Sequence, residues 1–357
     1  MRGILASPLP KLYTFLVLGK AAVVIYAVLA TRSPDTIQLM AVKWDAGIYQ
    51  TIATQGYQSP SSYVFSPIYP ALIKLAYMVI GSTWVSAYLV TNILSFIFPF
   101  LLYRAYGYGT AFFATMFPTY LLFGTIPYSD VIALIFLAAC FLLLARDRVS
   151  WASAAASDAI LTFFNLVWVL PSFLIPLFAN RNWKNILFYT LPILTGGVIV
   201  LWLKIETGSY FDFVKLEAPW GVQFANPIKQ AYYLLCSNPP NSFTCQPWEA
   251  DGVFLPPAYW LLRNIAFEAF YIFGAFYLLK TTVKYRVFFC AYCLSVTIPL
   301  MFWTGFVALS IPRLLLPAFP VFIGYSSLFK KHEIPYAAVC IALAAAFSIM
   351  QYLAYFS

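Results

Sequence analysis

Charge is what this sequence has least of. Only 9% of its 357 residues are Asp, Glu, Lys or Arg, against 62% hydrophobic, and the mean hydropathy is +0.81. A water-soluble domain of this length covers itself with about 25% charged residues, so a soluble fold is excluded. Histidine occurs once, as His332 beside Lys330 and Lys331, which excludes a histidine-based catalyst and a His-rich metal site. Neither a P-loop nor the Rossmann glycine pattern is present, and nothing supports nucleotide use. The formal charge is +9, but Lys and Arg stand as isolated pairs between apolar runs rather than in one basic stripe, which argues against nucleic acid as a partner. There is no solenoid repeat, no low-complexity segment and no linker to a second, soluble domain.

What is present is one apolar run after another. In lipid each run must close its own backbone hydrogen bonds as a helix, and residues 131–144 show none of the alternation of a barrel strand. The chain reads as an all-α integral membrane protein, a single polytopic domain over residues 1–357. Spanning helices are predicted near 12–30, 84–103, 109–126, 130–145, 151–163, 164–179, 185–204, 257–279, 287–308, 312–329 and 334–353, about 11 transmembrane helices in all. The first run lacks a small-residue cleavage site and is read as a retained helix. The stretches 151–163 and 164–179 are short for a hydrocarbon layer about 30 Å thick, so they are tilted, re-entrant or one broken helix.

Basic residues in short loops set the orientation. With a cytoplasmic N-terminus, Arg2, Lys11, Arg104, Arg146, Arg148, Arg181, Lys184, Lys280, Lys284, Arg286, Lys330 and Lys331 are cytoplasmic, while Asp35, Asp45, Asp130, Glu206, Asp212, Glu217, Glu249 and Asp251 lie outside. This requires residues 67–81 to rest on or dip into the outer face without crossing. Two outer loops are long, 31–83 and 205–256, and any chemistry has room only there. Both a prokaryotic cell membrane and the endoplasmic reticulum membrane satisfy the orientation; the short loops favour the former. Four of the six cysteines, Cys140, Cys290, Cys293 and Cys340, fall in apolar runs, while Cys236 and Cys245 share the second outer loop at a spacing that suits a disulfide ring.

Three stretches can carry chemistry. The first is Lys43-Trp44-Asp45-Ala46-Gly47-Ile48-Tyr49, continuing through Gly56-Tyr57 to Phe65-Ser66-Pro67-Ile68-Tyr69-Pro70. The spacing of Ile48 and Ile52, and of Tyr49 and Ala53, predicts a short interfacial helix with Asp45 at its start and Gly56 at its end. Asp45 is then either a carboxylate placed where a lipid-linked phosphate meets water or simply a helix cap. The second stretch, Ile126-Pro127-Tyr128-Ser129-Asp130, puts another acid at an outer turn, again as a functional group or a cap. The third, Ser310-Ile311-Pro312-Arg313 with Leu314 to Pro317 following, carries a lone outer Arg313. It suits a phosphate held by paired hydrogen bonds, or it snorkels to the interface. Tyr210 to Phe213 and Glu217 to Trp220 mix aromatics with acids, as sugar-contacting surfaces and interfacial anchors both do. Asp158 and Glu268 fall inside predicted spans.

Taken together, an outer Trp-Asp, a Tyr, Ile-Ala, Gly-Tyr, an aromatic-Pro-x-aromatic-Pro segment, Pro-Tyr-Ser-acid and Arg-x-Leu-Leu-Pro resemble the GPI mannosyltransferase II family (PIG-V) of the GT-C class of membrane glycosyltransferases. The resemblance runs from Trp44 to about Leu144 and resumes near Phe213 to Trp220 and at Arg313 to Pro320. It implies a GT-C type helical bundle whose long first outer loop carries short interfacial helices. It also implies transfer of a sugar, typically mannose, from a dolichyl or polyprenyl phosphate donor to a lipid-linked glycan or inositol-type lipid acceptor. Asp45 matches the family's acidic residue and is the candidate catalytic base; Trp44, Tyr49, Tyr69, Tyr128, Asp130, Trp220 and Arg313 are the candidate substrate-binding residues. Asp130 stands where the family has glutamate, and Thr162-Phe163-Phe164-Asn165 where it commonly has Thr-Arg-Pro. Outer carboxylates can hold a divalent metal, but no ligand spacing is diagnostic. The competing expectations are the same reaction with another sugar, a transporter or flippase, which would call for inverted repeats and midplane charges, and a non-catalytic scaffold.

Overall fold

The computed structural model describes residues 8–33, 35–173, 186–208, 210, 216, 222–235, 249–250, 253–254, 257–304 and 306–352. Trp220, Cys236 and Cys245 lie outside the described residues, as do Asp212 and Glu217.

The chain opens with α1 (Pro8–Thr31), followed by three helices of the first long loop: α2 (Thr36–Val42), α3 (Asp45–Gln55) and α4 (Ile68–Ile80). Then come α5 (Thr83–Leu94), α6 (Ile97–Thr115), α7 (Pro118–Phe123), α8 (Asp130–Ala145) and α9 (Val149–Thr162), with a 3-10 turn over Phe164–Phe173. The second half holds α10 (Ile186–Thr207), α11 (Pro227–Leu235), α12 (Pro257–Leu278), α13 (Arg286–Leu300), α14 (Phe306–Leu314), α15 (Val321–Leu328) and α16 (Glu333–Tyr352). The strand pair Glu249–Ala250 and Val253–Phe254 is the one sheet among the described residues.

Four helical stretches are long and apolar enough to cross a membrane: α1, Thr83–Thr115, Thr190–Thr207 and Tyr259–Leu278; a fifth arises if Ser310–Ala318 and Val321–Ser348, bent by 88°, form one broken span. Their outward faces are apolar, with Leu18, Leu29, Leu194 and Ile205 all exposed, as a lipid-facing surface must be. The protein is thus an integral membrane protein.

The breaks fall where the sequence forces them. The predicted span 84–103 is interrupted after Leu94 and the span 109–126 before Pro118, while Gly107 (φ 85°) kinks α6 between the two, where a connection was expected. The predicted spans 287–308 and 312–329 are cut into α13, α14 and α15; Pro312 is accommodated inside α14, while Pro317 and Pro320, between α14 and α15, each lack the N–H that would continue a helix. Residues 151–173, expected as short or broken spans, are a broken pair: α9 ends at Thr162 and Phe163 is extended (φ −141°, ψ 95°) before the 3-10 turn. Cys140, Cys290, Cys293 and Cys340 are free and buried.

The main core runs through the bundle, rich in Phe and Tyr. A second, smaller core lies under the first long loop, where Tyr49, Ile52 and Ala53 of α3 meet Phe65, Tyr69, Ile73, Ala87 and Ile132. Helix α4 has 13 residues, about 20 Å of rise, well short of a bilayer's hydrocarbon. It ends at Gly81 in the left-handed region, as α3 ends at Gly56 (φ 78°). This second core fixes the loop helices against α8 and so positions the site.

Candidate active site

Three stretches far apart in sequence meet at one guanidinium. Arg313, on the last turn of α14, donates from Nη1 to Asp45 Oδ2 at 2.6 Å. Its Nε lies 3.8 Å from Asp130 Oδ1, an ion pair too long for a hydrogen bond. The Arg313 and Asp130 side chains are only 9% and 3% exposed, whereas Asp45 is 21% exposed. Below the guanidinium lie the rings of Tyr128 and Phe123, at 4.9 and 5.8 Å from their centroids, where the ring quadrupole favours a cation.

Both acids sit in the first turn of their helices, but neither is the cap. The cap positions are Trp44 for α3 and Ser129 for α8, and neither makes a side-chain cap bond. The carboxylates turn to Arg313 instead. Trp44 reaches its place with a backbone of φ 56° and ψ −138°, a conformation that costs a non-glycine residue about 1–3 kcal/mol and persists only where surrounding packing imposes it. Gly47 makes room: a Cβ there would collide with the Val42 carbonyl, so only glycine lets α2 and α3 approach this closely.

Around the pair, each residue of Tyr128-Ser129-Asp130 has a partner in the site. Ser129 Oγ shares a hydrogen bond of 2.7 Å with Tyr49 Oη. Burial, and then the neighbouring Asp45 charge, push the Tyr49 phenol well above its ordinary value, so it stays neutral. Tyr69 is fully buried behind Tyr49, ring centroids 5.0 Å apart, with its hydroxyl 2.6 Å from Thr91 Oγ1. It supports Tyr49 and does not reach the cleft.

An open cleft is walled by Trp44, Asp45, Tyr49, Phe65, Ser310 and Arg313. Its far wall is Thr162-Phe163-Phe164-Asn165, brought there by the Ser66 hydroxyl donating to the Leu161 carbonyl. Sequence reading noted these four residues without placing them in the site; the short apolar stretches on either side were the signal that a helix breaks here. Ser66 and Ser310 were not singled out as site residues, and nothing in their local sequence marks them. Asp158 and Glu268 do not line the cleft. Among the described residues no group of three or more His, Cys, Asp or Glu can hold a metal ion; the fixed positive charge between the two carboxylates is Arg313.

No family model and no curated protein matches the chain. Among solved structures, it is similar to ArnT from Cupriavidus metallidurans bound to undecaprenyl phosphate, at 11% identity and a TM-score of 0.48, over 98% of this chain and 76% of that one. It is similar to the apo state of the same protein at 10% identity and a TM-score of 0.46, over 93% and 75%. Likeness of this grade decides nothing about chemistry.

Proposed function

We propose that the chain is a GT-C type membrane glycosyltransferase that moves a sugar from a dolichyl or polyprenyl phosphate donor to a lipid-linked acceptor at the outer membrane face, its N-terminus being cytoplasmic. The observation that carries this reading is the pairing of Asp45 with Arg313 at the wall of one open cleft, with the buried Asp130 behind the guanidinium. Mannose as the sugar rests on the sequence resemblance to the GPI mannosyltransferase II family.

The chemistry needs two things at once: a base for the acceptor hydroxyl and a positive charge for the departing phosphate. The acceptor oxygen attacks the anomeric carbon, the bond from that carbon to the phosphate oxygen breaks with its electron pair going to phosphate, and the hydroxyl proton passes to Asp45. Protonation of Asp45 cancels the charge that holds Arg313 Nη1. The guanidinium is released toward the phosphate while the phosphate gains negative charge, so the interaction strengthens in the transition state rather than in the ground state. Asp130 and Tyr128 keep Arg313 in place during the exchange. The lipid phosphate is already a good leaving group, so no general acid is required.

The test is transfer of radiolabelled mannose from polyprenyl phosphate mannose to endogenous lipids, in membranes carrying the parent chain or Asp45→Asn at equal expression. The expected loss is about 10²–10⁴-fold, the usual contribution of a positioned base. Transfer that survives the substitution removes Asp45 as base. No transfer by either chain, with other donor sugars also inactive, removes the reaction.

A further inference from the structure

A second groove adjoins the catalytic cleft across a shared wall. It has a volume of about 780 Å³, counting its open side, and shares Trp44, Ile48 and Phe65 with the first cleft. The two differ in chemistry. The first contains Asp45 and Arg313; no charged side chain lines the second, whose polar groups are Thr51, Gln58, Ser59, Ser61 and Ser62.

How these groups spend their hydrogens decides what they offer. Thr51 Oγ1 donates to the Gly47 carbonyl at 3.0 Å and Ser62 Oγ to the Ser59 carbonyl at 2.5 Å. The Gln58 amide donates to the Gln55 carbonyl, and Ser59 and Ser61 share one hydrogen bond of 3.0 Å. Most donors are therefore committed internally, and what remains is acceptor capacity on hydroxyl and amide oxygens. A ligand rich in hydroxyl hydrogens and without charge satisfies such a surface; a phosphate brings negative charge that no cation in the groove lining receives. The rim is rigid for a loop. Tyr57 and Tyr63 stack at 4.8 Å with both rings edge-on to Trp202, and Tyr57 Oη donates to the Phe65 carbonyl at 2.8 Å.

We infer that this groove binds an uncharged saccharide, the headgroup of the acceptor, and delivers its hydroxyl past Trp44 to Asp45. The assignment as acceptor rests on the transferase reading; the saccharide site itself does not. Trp44 is the partition, and its strained backbone holds the indole between a charged donor side and a neutral acceptor side.

The experiment uses the full chain in lipid nanodiscs with Ser61→Cys, reacted with a maleimide dye; the parent chain gives the background from its own cysteines. Mannobiose is expected to slow labelling at this position several-fold, and inorganic phosphate to leave it unchanged. Ser327→Cys, exposed on α15 away from the groove, serves as the control that mannobiose leaves unaffected. Equal slowing at both positions, equal slowing by phosphate, or no slowing overturns the site. Protection by mannobiose in a protein that transfers no sugar keeps the saccharide site and removes the transferase reading. Transfer without protection keeps the transferase and removes the site.

Discussion

Two ion pairs of the same length mark the two ends of helix α8. At its start, Arg313 meets Asp45 at 2.6 Å with side chains 9% and 21% exposed. Beyond its end, some 24 Å along the axis by helical rise, Lys284 meets Asp147 at 2.6 Å with side chains 58% and 64% exposed. Both lie next to backbone in the left-handed region, Trp44 at one end and Asp147 and Tyr285 at the other. Their lengths are alike, but Arg313 stands between two carboxylates while Lys284 serves one, and burial separates them further. The exposed pair is screened by water and salt and is worth little. The buried one cannot lose a partner without leaving a charge in a poorly solvated place.

The largest difference between the two ends should come from removing the cation. Arg313→Leu leaves Asp45 and Asp130 facing each other unpaired, and a loss of about 3–5 kcal/mol in stability is expected, read by thermal unfolding in detergent, together with loss of transfer. Lys284→Leu, at the exposed pair, should leave both readouts unchanged; an equal loss at the two ends would break the comparison. Next is Asp130→Asn. It keeps the shape around Arg313 but removes the ion pair to Nε, so transfer should fall about tenfold through misplacement of the guanidinium while the protein stays folded. Tyr49→Phe deletes the hydrogen bond to Ser129 and should cost about 1 kcal/mol, measured by the same melt. The smallest effect belongs to acid titration of Asp147. The hydrogen bonds from Lys284 and Tyr285 hold its carboxyl below the usual range. A depressed folded value gives stability that is present above the unfolded value and is lost as pH falls through the folded one. At this exposure the loss should be too small to resolve, and Asp147→Asn should not alter the acid limb of the melting profile.

Much of this arrangement was readable beforehand, for identifiable reasons. The interfacial helix from Asp45 to Gly56 was legible because its apolar spacing and terminal glycine act locally. The choice of Asp45, Asp130 and Arg313 was legible because a charge in so apolar a chain has few inexpensive positions. The breaks after Leu94, before Pro118 and within the proline-rich stretch after α14 were less so, since apolar content alone does not distinguish a continuous span from a bent one. Capping was the simpler expectation for both acids, and it failed because Arg313, more than 180 positions away from either, offers a stronger partner than the first-turn N–H groups.

The sequence by itself determined the solvent and the helical class, and it singled out the three stretches that carry Asp45, Asp130 and Arg313, because each follows from composition or from neighbours within a few residues. Only the tertiary structure decided that Arg313 stands between two carboxylates, that Tyr69 backs Tyr49 instead of lining the cleft, and that Thr162 to Asn165 form its far wall. It also decided that Trp44 divides a charged cleft from a neutral groove. Those outcomes depend on which helices pack together, and burial, which sets the value of every charge here, exists only once they have.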